Sequence, residues 1–450
     1  MSVHGRPPCP HVPGTRCAGN PAVCSYRRAL FPASIAGRPP GRRRRAAGRA
    51  SAIDVQCRRK RYKDHPSAIV EDVIPDVVAL PPVRSPEEYV EWLCEPKSSG
   101  HCPRLLLAPM ESLGDYLYRR AIAFSVGGFD EAMTEFIRVP VSSDNLARQA
   151  RGLGRKYHAG ELAPTPLAVQ VMGSSPDALR AVAAEMVHRR GAPHLNLNCG
   201  CPASCVTGKG AGSGLLRDPE HMARCLRAMV EAAEGRVAVS VKMRSGFSDT
   251  SLFEDNLLAA EAAGASHVIL HPRTKEQGYR GGADWALIAH AKRILRVPVV
   301  GNGDVTTAAA ARKLVEQTGC DAVMVGRGAV RDPLVFWRIR AAFGGAEGGV
   351  ALGGDEELGA VLAFWDAFVG EMRGRSGPRH DAARFKKIKQ VAGYLFTAAP
   401  AMEGQLKPLL RLTPEQIEYE EYAQRVRATL AETWVPGGVA EATSASAPHA

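Results

Sequence analysis

The chain holds 450 residues, 45% of them apolar, yet no apolar run approaches the roughly 18 residues of a membrane helix, which argues against a span. Its formal net charge is +12, but ten arginines and no acidic residue fall in residues 1–53; taking those ten from the 58 Lys and Arg leaves 48 bases against 46 acids. The globular part is therefore close to neutral, so any polyanion must be held by local contacts, and the length suits one large and one small domain.

Residues 1–66 read as a disordered basic extension. The arginine-rich composition, acid-free over residues 1–53, with Pro, Gly and Ala and densest at Arg42–Arg45, is that of a transit peptide. Import into a chloroplast or mitochondrion is the expectation; a basic tail on a cytoplasmic protein is the alternative. The eleven cysteines form no paired framework, which fits reduced thiols. Cys199, Cys201 and Cys205 are closely spaced, but no second Cys or His cluster accompanies them, so no metal site is expected.

Further along, short apolar segments predict strands at Arg104–Ala108, Glu131–Phe136, Leu167–Met172, His194–Asn198, Ala238–Met243, His267–His271, Val297–Gly301 and Ala322–Val325. Between most of them lie helical patterns, among them Pro176–Arg189, Pro219–Ala233, Phe253–Ala263 and Thr306–Gln317. Eightfold strand–helix alternation over about 250 residues predicts a TIM (β/α)8 barrel over residues 100–345. A doubly wound sheet is the alternative, but its G-x-G-x-x-G fingerprint is missing after the first strand. A glycine-rich linker from Gly344 to Gly354 leads to a small all-helical domain over 353–434, and 435–450 reads as a disordered tail.

Barrel active sites lie at the C-terminal strand ends. Those ends carry Pro109 and Met110, Glu135, Gln170, Asn198 with Cys201, Lys242 with Arg244, His271 with Arg273, Asn302-Gly303-Asp304, and Gly326-Arg327-Gly328. Glycines after the last two strands are where such barrels often bind phosphate, and Arg327 can add a charge-assisted pair. A phosphate-bearing cofactor is expected. The run Leu197-Asn198-Cys199-Gly200-Cys201-Pro202 ends a strand with a thiol beside a glycine-rich loop, Val206 to Gly214. That placement suits an acid or a nucleophile.

These motifs resemble the tRNA-dihydrouridine synthases over about Arg104 to Leu395, and look most like the bacterial C class. They are Ala-Pro-Met near the first strand, Asn-x-Gly-Cys-Pro after the fourth, and Val-Lys-Met-Arg in the fifth. His-x-Arg-Thr follows the sixth, Asn-Gly-Asp the seventh and Gly-Arg-Gly the eighth. The resemblance implies FMN over the barrel mouth, contacted by Pro109, Met110, Glu111, Gln170, Lys242, His271, Asn302, Gly303, Asp304, Gly326 and Arg327. It implies NADPH as reductant, hydride transfer to uracil C6, and a proton from Cys201 to C5. An unperturbed thiol, with a pKa of about 8.5, is protonated near neutrality and suits that role. Glu135, Arg138, Asn198 and Arg244 are expected at the substrate. The C class implies uridine 16 of the tRNA D-loop, and a monomer is expected.

The segment Arg373–Lys389 carries seven bases against Asp381 alone, while Phe385, Ile388, Val391, Ala392 and Leu395 follow helical spacing. This predicts a helix that buries one face and shows cations to tRNA on the other. Lys387, Lys389 and Gln390 match the family's Arg/Lys-Ile-Lys-Gln motif. Three departures concern loop shape: Ser112 where the first motif usually has Gly, Val206-Thr207 where Val-Asn is common, and Pro272 after His271. A dihydroorotate-dehydrogenase-like flavoprotein and a non-catalytic RNA-binding protein are the other readings. The basic helical appendage speaks against the first, and the joint presence of Cys201, Lys242 and His271 against the second.

Overall fold

The computed structural model describes residues 80–98, 102–141, 145–344, 353–373, 378–397 and 400–434. The expectations for 1–66 and 435–450 lie outside the described residues. Among the described residues nine strands pair in parallel: β1 Arg104–Leu107, β2 Glu131–Met133, β3 Ile137–Arg138, β4 Leu167–Met172, β5 His194–Cys199, β6 Ala238–Gly246, β7 Val268–Thr274, β8 Val299–Asn302 and β9 Ala322–Val325. The ladder runs β2-β1-β9-β8-β7-β6-β5-β4, and pairing of β2 with β4 closes it into an eight-stranded barrel. Strands such as β4 (LAVQVM) and β9 (AVMV) are buried along their whole length, as parallel strands covered on both sides must be.

Local differences from the predicted elements have local causes. The expected strand Glu131–Phe136 is divided into β2 and the two-residue β3. The ladder breaks at Thr134, where the Gln170 N–H is received by the Thr134 hydroxyl, 3.0 Å away, rather than by a main-chain carbonyl. β6 and β7 run on to Gly246 and Thr274, so Arg244 and Arg273 sit on strands, not loops. Pro219–Ala233 forms as one α-helix, whereas Pro176–Ala184 gives way to a π-turn at Glu185–Arg189.

One helix was not anticipated: Pro86–Ser98, which closes the floor of the barrel. Its start is a capping box. The Ser85 N–H donates to the Glu88 carboxylate at 2.8 Å, and the Glu88 N–H donates to the Ser85 hydroxyl at 3.2 Å. Tyr89 and Leu93 of this helix pack with the lumen residues Leu106, Met133, Ala168, Ala238, Ile269, Val300, Ala322 and Met324.

The described helices of the C-terminal part are Gly354–Arg373, Pro378–Phe396, Pro400–Arg411 and Tyr419–Thr433. Their apolar faces join the core between the strands and the outer helices in one continuous cluster. Tyr118 meets Phe364 and Phe368 edge-on with ring centres 5.9 and 6.5 Å apart. The Arg338 guanidinium spans Asp332 and Glu357 at 2.8 and 2.6 Å. Among the described residues no helix is long and apolar enough to cross a membrane.

Candidate active site

Parallel strands send alternate side chains into the lumen. On β5 these are His194, Asn196 and Asn198, while Cys199 turns outward and is fully buried near Cys225. Burial first, then Cys225, pushes the Cys199 thiol well up. Cys199 and Cys201 therefore serve different surroundings. Among the described residues no group of three His, Cys, Asp or Glu could hold a metal ion.

The lumen residues form a continuous hydrogen-bond chain from floor to mouth. At the mouth, the N–H groups of Gly200 and Cys201 donate to the Asn198 side-chain oxygen at 3.0 and 2.9 Å. The Asn198 amide donates to Gln170 at 2.8 Å, Gln170 to Asn196 at 2.8 Å, and Asn196 to the Ser240 hydroxyl at 2.7 Å. Ser240 lies 2.7 Å from His194 Nε2, and His194 Nδ1 lies 3.2 Å from Glu131. The Tyr89 hydroxyl donates to the same carboxylate at 2.7 Å. A carboxylate only accepts, so it selects the Nδ1–H tautomer of His194 and makes Ser240 the donor to Nε2. Every bond then points the same way, from the Cys201 main chain down to Glu131. Sequence reasoning found Gln170 and Asn198 but missed Glu131, His194, Asn196 and Ser240. Gln170, expected against the flavin, is fully buried and has both ends of its amide engaged one layer below the mouth.

Cys201 is held rigidly. Its carbonyl accepts from the Ser213 N–H at 3.1 Å and the Ser213 hydroxyl at 2.9 Å. Gly212, at φ +60°, presses on it so closely that a Cβ there would come 3.0 Å from that carbonyl. The Cys201 Sγ lies 3.9 Å from the Glu111 carboxylate. Pro109 and Met110 are half-buried beside it in sequence, and Glu111 is exposed.

Four cations gather around His271, and one of them, Arg244, also acts on the Cys201 thiol. Arg244 donates to Gly200 O at 2.9 Å, Thr274 O at 2.8 Å and Gly278 O at 2.9 Å, bracing the loop after β5 against the end of β7 and the loop that follows it. Expected at the substrate, it is 3% exposed and spent on carbonyls. Asp304 makes a two-point pair with Arg273 at 2.9 and 2.6 Å and also accepts from the Ala283 N–H. Arg327 lies 3.9 Å from the same carboxylate and over the Tyr279 ring at 4.1 Å. The Lys242 ammonium makes no hydrogen bond or ion pair among the described residues. Burial and then Arg244 lower its pKa to about 8. Burial, followed by Lys242, Arg244, Arg273 and Arg327, drives His271 well below its usual value, so it is neutral at physiological pH. Asn302 donates to Met324 O at 2.8 Å.

The expected substrate residues on the helical appendage are placed differently. Phe385, Ile388, Val391, Ala392 and Leu395 form the buried face, as anticipated. Lys387 lies on that side too, 9% exposed, and donates to Ser112 O at 2.7 Å and Leu113 O at 2.8 Å while facing Asp115 at 3.2 Å. Held by two carbonyls and a facing carboxylate, it is a clamp between helix and barrel rather than a phosphate ligand. Lys389 is tied to Leu412 O at 2.7 Å. Lys386 is an exposed cation, and Gln390 is half-exposed. The clamp explains Ser112: this residue has φ +57°, the left-handed region that glycine fills without strain. Its N–H donates to Glu135, and its carbonyl is fixed by Lys387. Arg138 closes β3, half-buried.

The fold and mouth define a TIM-barrel enzyme with an anion-seeking site beside a thiol. A family model described as "Dihydrouridine synthase (Dus)" matches residues 106–392. The chain is 35% identical to the tRNA-dihydrouridine(16) synthase of Ralstonia nicotianae over 337 residues, 74% of this chain and 99% of that one. It is 37% identical to a probable tRNA-dihydrouridine synthase of Rhodobacter capsulatus, over 60% of this chain and 82% of the relative. It is also 37% identical to the tRNA-dihydrouridine(16) synthase of Escherichia coli, over 51% and 73%. This chain belongs to the dihydrouridine synthase family and is an oxidoreductase that acts on tRNA.

Proposed function

We propose that the protein reduces uridine 16 of the tRNA D-loop to 5,6-dihydrouridine, with FMN as its flavin and NADPH as reductant. The observation that carries this reading is the cation cluster at the mouth: Lys242, Arg244, Arg273 and Arg327 all act on His271, and only Arg273 and Arg327 reach a carboxylate there, Asp304. Arg244 and Arg273 are buried, and cations short of counter-charge in such surroundings call for an anionic ligand. Two further features suit FMN. Arg273 Nε is buried without a partner. Gly326 also leaves open the space between Ala108 and Met110, which a Cβ would approach to 3.5 and 3.9 Å.

Lys242 would sit near the flavin edge that becomes negative on reduction, and Arg327, Gly303, Asp304 and Gly326 would frame its phosphate. Bound there, the flavin supplies the hydride for uracil C6. Cys201 gives its S–H proton to C5, so the C5–C6 double bond becomes single, and the thiolate regains a proton from solvent. Glu111 orients that S–H, and Asn198 fixes the main chain that carries it. The base must leave the tRNA stack to reach the thiol. The helical appendage, clamped to the rim by Lys387, offers the surface over which the rest of the tRNA lies.

The test is incubation of an unmodified tRNA transcript with protein, FMN and NADPH, followed by mapping of dihydrouridine. Product at position 16 alone is expected; product at another D-loop position would overturn the assignment. From the composition of residues 1–53 we also infer import into an organelle. N-terminal sequencing after cell fractionation checks it, and an intact Met1 in the cytosol would contradict it.

A further inference from the structure

A second cationic site lies away from the mouth. Arg148, Arg151, Arg155, Arg189 and Arg190 line one open cleft of about 870 Å³ between the helix Leu146–Gly154 and the π-turn Glu185–Arg189. Arg148, Arg151 and Arg155 recur at intervals of three and four on one helical face and are all exposed. Like charges at that spacing destabilise a helix. Some exposed arginines of the outer layer stand beside carboxylates, as Arg180 does with Glu231 at 2.7 Å and Arg425 with Glu421 at 2.6 Å. In the cleft, Arg151 and Arg155 have no carboxylate partner among the described residues. Arg189 and Arg190 both approach Glu185, at 3.7 and 3.2 Å. The cleft is shaped for this. Arg190 crosses Gly154 so closely that a Cβ there would come 2.9 Å from its Nε.

The position is informative. Arg190 lies four residues before β5 begins, whereas Cys201 lies two residues after β5 ends. The cleft therefore opens at the opposite end of the barrel, about 20 Å from the thiol, the length of a six-residue strand. The guanidinium fork matches phosphate oxygens in pairs, and its charge is constant with pH.

We propose that this arginine cleft binds backbone phosphates of the tRNA substrate outside the arm that delivers the target uridine. The proposal rests on tRNA being the substrate. The cleft supplies affinity without base readout, leaving the choice of uridine to the mouth. The competing reading is that these arginines only complement the C-terminal ends of their helices, a stabilising effect of about 0.3–1 kcal/mol each.

The test compares wild type with Arg151→Glu/Arg155→Glu/Arg189→Glu, using full-length tRNA and an isolated D-arm hairpin at several salt concentrations. Arg180→Glu serves as the surface control. The expected result is a rise of at least tenfold in KM for full-length tRNA, with a shallower salt dependence, by roughly 0.7–0.9 for each phosphate no longer neutralised. KM for the hairpin should be the same in both proteins, and the lysine triple variant should restore most of the affinity. Equal KM and salt slope on full-length tRNA, with only the melting temperature lowered, would show a purely structural role and overturn the proposal. An equal loss on both RNAs would overturn the placement outside the delivering arm. Wild-type turnover in the same assay separates either failure from a failure of the proposed reaction.

Discussion

At the floor of the barrel, the Glu131 carboxylate receives Tyr89 and His194, and each polar side chain above it has a partner up to Asn198. At the mouth, Lys242, Arg244, Arg273 and Arg327 gather around His271, and Asp304 pairs with only two of them, Arg273 and Arg327. The hydrogen-bond chain from Glu131 to Asn198 is paired within the protein, while His267, stacked on Tyr89 beside it, keeps both ring nitrogens buried without a partner. The mouth carries more cations than the carboxylate beside them can pair, which suits the proposed anionic ligand. Changes at the floor should therefore cost stability, and changes at the mouth should cost ligand or turnover.

The largest effect is expected at Cys201. Cys201→Ala should bind flavin as wild type does and lose at least a hundredfold in dihydrouridine formation, the usual scale for a removed general acid. Retention of a near wild-type single-turnover rate would remove the thiol from the proton step. At the floor, Glu131→Ala leaves His194 and Tyr89 buried without their acceptor. Urea unfolding should show a loss of about 3 kcal/mol, and a loss under 1 kcal/mol would mean that the floor network is dispensable.

Lys242 separates the two regions by pH. Its pKa of about 8 lies below the usual lysine value, so the ammonium is charged below pH 8 and neutral above it. Affinity for an anionic flavin should be full below pH 8 and fall as pH rises through it. The stability of the free protein should move the opposite way, rising above pH 8 because the unfolded chain still binds that proton. Lys242→Met should weaken FMN binding about tenfold and flatten the affinity profile near pH 8; fluorescence titration reads both. The smallest change expected is at Ser112. Ser112→Gly removes left-handed strain and should stabilise the protein by about 0.5–1 kcal/mol; a loss of stability would mean that the hydroxyl outweighs the strain.

Barrel strands were legible because buried parallel strands are apolar runs, as in Leu167–Met172 and Ala322–Val325, whose ends matched. The mouth was legible from motif residues at strand ends. The floor was not, because Glu131, His194 and Ser240 are single polar residues inside strands, and their partnership exists only once the barrel closes. The floor helix carried a readable signal in its Ser85–Glu88 capping box. Lys387 could not be read, since its carbonyl partners lie about 275 residues earlier and the same lysine in isolation looks like a surface cation.

The most direct test of the mouth is equilibrium titration of the purified protein with FMN and with riboflavin, which lacks the phosphate. The account predicts FMN binding at least a hundredfold tighter than riboflavin, with the gap shrinking in Arg327→Met. Equal affinity for the two, or binding of neither by folded protein, would contradict it.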